Sequence, residues 1–297
     1  VPDVRALRSL LFVPGHKADW IGKALASPAD AIIIDLEDAV PEAEKATARQ
    51  NAREAILAYE GDTRILVRIN GLDTPHFGED ALAVAVPGLS GFLLPMLRSR
   101  DDVVAYDAVI AAGELRNEVP RGAIEVVPSF ETAESIARAD EIIAGPRVGG
   151  VMAAAAKGAD IARSVGFHWT PEGLETLYLR SRIVVAARAA GMEMIVLGLW
   201  QDVRDLEGLR AFARDNAGLG YTGQVLIHPS HAEVVNDEYG LSDERAAYYE
   251  RLVAAFDEGV RAGHGAVSFE GEHVDLAHAQ NARALLARAG RPAAPAK

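Results

Sequence analysis

The sequence predicts a (β/α)8 barrel, an α/β fold, followed by a C-terminal helical extension. Two observations lead there. Short apolar runs recur along the chain, each followed by a stretch with helical periodicity. The runs are almost continuously apolar instead of alternating, the pattern of strands covered on both faces. Eight such units in alternation imply a closed parallel barrel. An open doubly wound sheet shares this local pattern and stands as the alternative. The 297 residues accommodate one barrel of ~250 residues with an appendage. Residues 1–240 are assigned to the barrel and 241–297 to the extension.

The elements follow in order. Ser9–Val13 ends at Pro14-Gly15 and leads to a helix over Ala18–Ala26. Ala31–Leu36 ends at Glu37-Asp38, before a helix through Glu42–Tyr59. Arg64–Ile69 ends at Asn70, and a helix follows near Glu79–Val86. Gly91–Leu94 ends at Pro95-Met96, with a helix through Asp102–Ala112. Ala123–Phe130 stops at Glu131 and passes into an amphipathic helix, and Val148–Ala156 is the sixth strand, with Asp160 just beyond. A long helix, Pro171–Ala190, precedes the seventh strand, Glu193–Leu197. A helix over Leu206–Ala217 leads to the eighth, Gln224–Ile227, ending at His228-Pro229. Past Leu241, Ser242 caps a helix to about Ala262. A polar Gly-rich turn, the segment AVSFEGEHVD and an Ala-rich helix over Leu276–Ala289 complete the chain. This tail is too short to bury itself, so it is expected to pack on the barrel or on a neighbouring subunit.

Composition narrows the function. Hydrophobic residues make up 49% and charged residues 25%, as in globular proteins. A net charge of −13 argues against general nucleic-acid binding, which needs a basic face. The absence of cysteine fits a reducing compartment, hence a cytoplasmic protein. No apolar run reaches ~18 residues and no signal pattern opens the sequence, so neither a membrane span nor export is expected.

Carboxylates at strand ends carry the chemical argument, because α/β barrels place their chemistry at the carboxyl ends of the strands. Glu131 and Asp160 lie on adjacent strand ends and would face one mouth. Taken singly, each reads as a helix-start acid favoured by the dipole. Taken together, they form a candidate Mg²⁺ site, since oxygen donors without zinc-type His/Cys spacing suit a hard cation. Arg68, near the end of the third strand, is placed to hold a substrate carboxylate bidentately, or to pair with Glu37 or Asp38. Asp35 and Glu37 share a face by period two, while Asp38 faces elsewhere. Lys45 and Arg49 are read as solvated or paired with these acids. Arg8 is a second candidate for anion contact, His228 a candidate acid or base beside a structural reading, and Asp275 alone would be a surface acid.

Several ordered motifs are similar to the citrate lyase β-subunit-like family, which includes malyl-CoA and citramalyl-CoA lyases. They are RSLLFVPG (Arg8–Gly15), IIDLEDAVPEAEKATAR (Ile33–Arg49), VRIN (Val67–Asn70), ETA (Glu131–Ala133), Asp160 to Gly166 in DIARSVG, RSRIVVAARAAG (Arg180–Gly191), DLEGL (Asp205–Leu209) and IHPSHAEVVN (Ile227–Asn236). The resemblance implies a (β/α)8 barrel assembled as a homotrimer or hexamer, with Mg²⁺ on Glu131 and Asp160. It implies that Arg68 holds the carboxylate of a 2-oxo acid; from their place on the neighbouring strand end, Glu37 and Asp38 are expected to orient Arg68 or to bind metal-bound waters. It places at Asp275 the acid that closes a neighbouring subunit's site and exchanges a proton with the substrate carbon. A CoA thioester would lie between mouth and tail, with Phe12, Lys17 and Lys23 as candidate contacts. The reaction implied is magnesium-dependent cleavage or formation of a carbon–carbon bond between an acyl-CoA and a 2-oxo acid.

The chain also departs from the family pattern. Met96 stands in a lysine place, Lys157 in a glycine place, Val196 where an acid is usual and Gln224 in place of lysine. Two rival readings follow: a Schiff-base aldolase using Lys157, and a binding protein that keeps the fold without turnover.

Overall fold

The computed structural model describes residues 7–291. Eight parallel strands close into a barrel in sequential order. They are β1 (Ser9–Pro14), β2 (Ala31–Asp35), β3 (Arg64–Arg68), β4 (Gly91–Leu94), β5 (Glu125–Phe130), β6 (Gly150–Ala153), β7 (Met194–Leu197) and β8 (Gly223–Leu226). β8 pairs with β1 through Ser9 and Gln224, so the sheet is closed and the open alternative is excluded.

The helices between them are α1 (Ala18–Leu25), α2 (Lys45–Ala58), α3 (Phe77–Val84), α4 (Arg100–Arg116), α5 (Ala133–Ala137), α6 (Ala139–Ile143), α7 (Asp160–Val165), α8 (Leu174–Ala189) and α9 (Leu206–Leu219). After β8 come α10 (His231–Tyr239), α11 (Asp243–Arg261), the strands β9 (Ala266–Phe269) and β10 (Glu272–Asp275), and α12 (Leu276–Arg288). Two boundaries differ instructively from the sequence reading. α4 begins two residues early because Ser99 and Asp102 form a capping box. The helix after β5 is broken in two at Arg138, which is the C-cap of α5 and the N-cap of α6.

The side-chain period of two builds the site from the barrel floor upward. The interior is filled by Leu10, Ala31, Ile33, Leu66, Leu93, Val127, Met152, Met194, Val196 and Val225, all buried, with Phe12 packed against them. Two residues further along the same strands come Asp35 after Ile33, Arg68 after Leu66 and Ser129 after Val127, with Glu131 next in step. The apolar plug thus ends where the polar mouth begins.

The chain divides into two compact units between Asn236 and Asp237. Contrary to expectation, the second unit buries an apolar cluster of its own: Ala246, Leu252, Val253, Phe256, Val274, Ala279, Ala282 and Leu286. The segment AVSFEGEHVD supplies the missing cover by folding into the antiparallel hairpin β9–β10.

Helix-to-helix contact on the barrel is tight at Gly113 of α4, where an added Cβ would sit 2.6 Å from the Ala81 carbonyl oxygen. Gly113→Ala is expected to destabilise the barrel by about 1–3 kcal/mol through overpacking. Thermal denaturation checks it, at about 2–4 °C per kcal/mol for a domain of this size.

Candidate active site

Asp35 and Arg68 end neighbouring strands in direct register. Arg68 donates from Nε to Asp35 Oδ1 at 2.8 Å and from Nη2 to Oδ2 at 2.7 Å. Its Nη1 lies 3.0 Å from Glu37 Oε2 and 3.5 Å from Asp38 Oδ2. The guanidinium carbon sits 5.0 Å from the centroid of the Phe12 ring, a cation–π contact at the barrel floor. Burial disfavours the Arg68 cation, but Asp35 first, then Glu37 and Asp38, more than offset it and raise its pKa. Glu37 shows the opposite balance. Burial, opposed by Arg68 and reinforced by Asp38, Glu131 and Asp35, pushes its carboxyl up to about 8.

Glu131 follows β5 and is only 8% exposed. Its Oε1 accepts the backbone N–H of Met96 at 2.7 Å. Met96 has φ 52°, a left-handed conformation that non-glycine residues rarely adopt. Such a conformation costs about 1–3 kcal/mol and clusters at functional sites. The same seam between the ends of β4 and β5 is closed by the Thr132 hydroxyl, which donates to the Leu97 carbonyl at 2.9 Å. Burial raises the Glu131 pKa, the Met96 N–H and Arg68 oppose it, and the charge of Asp160 adds to the rise. Asp160 opens α7, which is joined to Glu131's loop by the Ala133 N–H donating to Ser164 Oγ at 2.8 Å.

The donor set suits a hard cation. Glu131 is buried at the mouth and Asp160 is near enough for its charge to act on it, and Mg²⁺ takes one or two protein carboxylates and keeps several waters. Among the described residues no group of three or more acids, histidines or cysteines is arranged to hold a metal ion. Asp160 pairs with Arg163 of its own helix and would turn from it to reach a metal.

A buried polar network backs the arginine side. Lys45 Nζ donates to the carbonyls of Leu36 and Glu37 at 2.7 and 2.8 Å and to Asn70 Oδ1 at 2.7 Å. Asn70 in turn donates to the fully buried Asp80, which also holds Arg49. Lys45 is thus a buried tie between the ends of β2 and β3, not a solvated charge. On the other side, the loop between β6 and α7 is held by Trp169 Nε1, which donates to the Ala155 carbonyl at 3.0 Å. Gln201 Nε2 donates to the Lys157 carbonyl at 2.7 Å.

The remaining sequence candidates scatter. Arg8 precedes β1, at the opposite end from the mouth, and is bound by Asp30 at 2.9 and 2.8 Å. Phe12 belongs to the barrel floor beneath Arg68. Lys17 and Lys23 are exposed, at the start and in the last turn of α1. Exposed His228 engages Ser230 at 2.7 Å. Asp275 caps α12: its Oδ1 accepts from the Ala277 and His278 N–H groups and lies 2.6 Å from His278 Nδ1. That histidine contact lowers its pKa. Lys157 is exposed, not the desolvated setting a Schiff-base lysine needs. Val196 is core, and Gln224 is buried in β8 with its side-chain amide lacking a partner among the described residues.

Asp35, Lys45, Asn70 and the Met96 N–H were not singled out as site parts by sequence reasoning. The period-two register that aligns Asp35 with Arg68 carried the signal for the first; the other three are set by tertiary contact.

The family model described as HpcH/HpaI aldolase/citrate lyase matches residues 8–229. The (3S)-malyl-CoA thioesterase of Cereibacter sphaeroides is 34% identical over 95% of this chain and 94% of its own. The L-malyl-CoA/β-methylmalyl-CoA lyase of the same species is 34% identical over 97% of this chain and 96% of its own. The crystal structure of protein CitE from Mycobacterium tuberculosis in complex with magnesium, acetoacetate and coenzyme A superposes with a TM-score of 0.77. Its identity is 32%, over 97% of this chain and 100% of that one.

Two outcomes are expected from this geometry. Lys45→Met leaves two buried carbonyls and Asn70 without their shared donor and should cost about 1–3 kcal/mol in thermal or urea denaturation. The folded Glu37 carboxyl keeps its proton up to about 8, whereas the unfolded one releases it near 4.5. Unfolding therefore releases a proton between those values, and stability falls as pH rises through that window. Melting curves in EDTA from pH 5 to 8 should show this fall, and Glu37→Gln should flatten it.

Proposed function

The chain belongs to the HpcH/HpaI aldolase/citrate lyase family, and from that premise we propose that it is a magnesium-dependent carbon–carbon lyase. It cleaves or forms a 3-hydroxyacyl thioester of the malyl-CoA, citramalyl-CoA or citryl type, with a 2-oxo acid and an acyl-CoA as partners. The observation that carries the reading is Glu131: a buried carboxylate, fixed by the Met96 N–H, at the same mouth as the Asp35-held Arg68.

Glu131 and Asp160 are the residues that would hold Mg²⁺. When bound, that ion polarises the carbonyl of the 2-oxo acid as a Lewis acid. Arg68 receives the substrate carboxylate. Its Nε–Nη2 edge is committed to Asp35, so the incoming anion meets Nη1 and displaces Glu37 and Asp38 there. A Glu37 carboxyl that keeps its proton near neutrality yields that position without leaving a second buried anion behind. Asp275, supplied by a neighbouring subunit of a homotrimer or hexamer, exchanges the proton at the acyl α-carbon. Its Oδ1 is occupied by the helix cap, and Oδ2 makes no bond among the described residues. As a carboxylate it accepts that proton in the condensation direction. A cytoplasmic location belongs to this reading; among the described residues no helix is long and apolar enough to cross a membrane.

A second reading is thioester hydrolysis, favoured by the thioesterase relative at the same 34% identity as the lyase. One panel separates the readings. Glyoxylate, pyruvate or oxaloacetate is mixed with acetyl-CoA or propionyl-CoA, with Mg²⁺ or EDTA, and the 3-hydroxyacyl-CoA products are assayed in reverse. Lyase chemistry returns a 2-oxo acid and acyl-CoA; hydrolysis returns a hydroxy acid and free CoA. EDTA should abolish turnover, and Glu131→Ala should lower kcat/KM by about 100-fold or more. Full activity surviving either treatment removes the metal reading, and no turnover across the panel favours a binding protein.

A further inference from the structure

The outer faces of α2, α3 and α4 border a cleft of about 520 Å³, within the range of small-molecule sites. Its lining includes the guanidinium groups of Arg49, Arg53 and Arg116 against one carboxylate, Glu79, in a chain whose net charge is −13. The three arginines are not equivalent. Arg49 is neutralised, with Nη2 2.6 Å from Glu79 and Nη1 3.1 Å from Asp80. Arg53 is fixed but not neutralised. Its Nη1 donates to the Ala83 carbonyl at 2.7 Å and to Asn117 Oδ1 at 2.8 Å, both uncharged acceptors. Its Nε and Nη2 make no bond among the described residues. That edge is the planar fork that matches two oxygens of an anion, and here it is already immobilised. Arg116, exposed in the last turn of α4, makes no ion pair or hydrogen bond among the described residues. Two uncompensated cations therefore remain, one of them pre-oriented, beside the apolar side chain of Leu82.

We propose that this cleft is a binding site for a small phosphorylated molecule, its phosphate dianion held by the Arg53 fork and by Arg116, its remainder lying along Leu82. A phosphate monoester matches the two free cations in charge and supplies three acceptor oxygens. A carboxylate offers half that charge. Pre-ordering of Arg53 lowers the entropy cost of capture. The site lies on the helical layer, uses none of the residues of the barrel mouth, and stands independently of the lyase reading.

Isothermal titration of the full chain in EDTA tests it, with glycerol 3-phosphate and inorganic phosphate as probes. One equivalent is expected to bind. Arg116→Ala, on the surface, should weaken binding by about tenfold or more, the scale of one lost charged hydrogen bond. Arg53→Lys, which keeps the charge and loses the fork, should do the same, with melting temperature confirming that both variants fold. Glu131→Ala should bind as the wild type does. The proposal is overturned if neither probe binds the wild type. It is also overturned if either arginine variant binds unchanged, or if Glu131→Ala alters binding, which would put the phosphate in the mouth.

Discussion

The ion pair between Asp35 and Arg68 is the constraint around which the mouth of the barrel is arranged. It joins two adjacent strand ends in register, and it sits directly on the apolar plug. A guanidinium at this depth tolerates burial only when it is paired and hydrogen-bonded. Asp35 meets that need through two parallel hydrogen bonds. The pair is nearly neutral as a unit, so the acids added around it, Glu37, Asp38 and Glu131, are in surplus. Burial first, and the neighbouring acids after it, push the Glu37 carboxyl up to about 8, and burial pushes Glu131 in the same direction. Acids whose charged forms are disfavoured by burial are ones that a hard divalent cation would stabilise as anions.

The arrangement leans on backbone as much as on side chains. Lys45 delivers one buried ammonium to two carbonyls and an amide oxygen, tying the ends of β2 and β3. Met96 holds a strained backbone angle that aims its N–H at Glu131. The side chain at Met96 is not the part in use, so a change of residue type there leaves the contact with Glu131 intact. This bears on the departure at that position from the family pattern: lysine is replaced, but the backbone donor is kept.

Much of this was legible in the sequence, and the reason is periodicity. Eight apolar runs gave the barrel, because buried parallel strands need no polar face. Carboxylates just past the runs marked the mouth, and the same rule found Arg68. What escaped detection depends on contacts between segments distant in sequence. Lys45 looks like any helix-start cation until Leu36 and Asn70 are seen around it. Arg8 is read in the sequence as lying before the first strand, but its partner Asp30, before β2, shows only in the fold. The tail hairpin was missed because four-residue strands separated by Glu270-Gly271 give too short an alternation to register as β structure.

The two halves of the mouth differ in how firmly they are held. Around Arg68 the supporting bonds are buried: Lys45 to Leu36 and Asn70, and Asn70 to Asp80. Around Asp160 they are more exposed: Gln201 to Lys157 and Ala133 to Ser164, with Gly158 in a left-handed turn between them and a half-buried bond from Trp169 to Ala155. Exposed hydrogen bonds exchange with water and contribute little to fixing a loop, whereas buried ones cost their full desolvation to break. The side around Arg68 is therefore the more firmly fixed, whereas Asp160 on the other side is paired only with exposed Arg163 of its own helix.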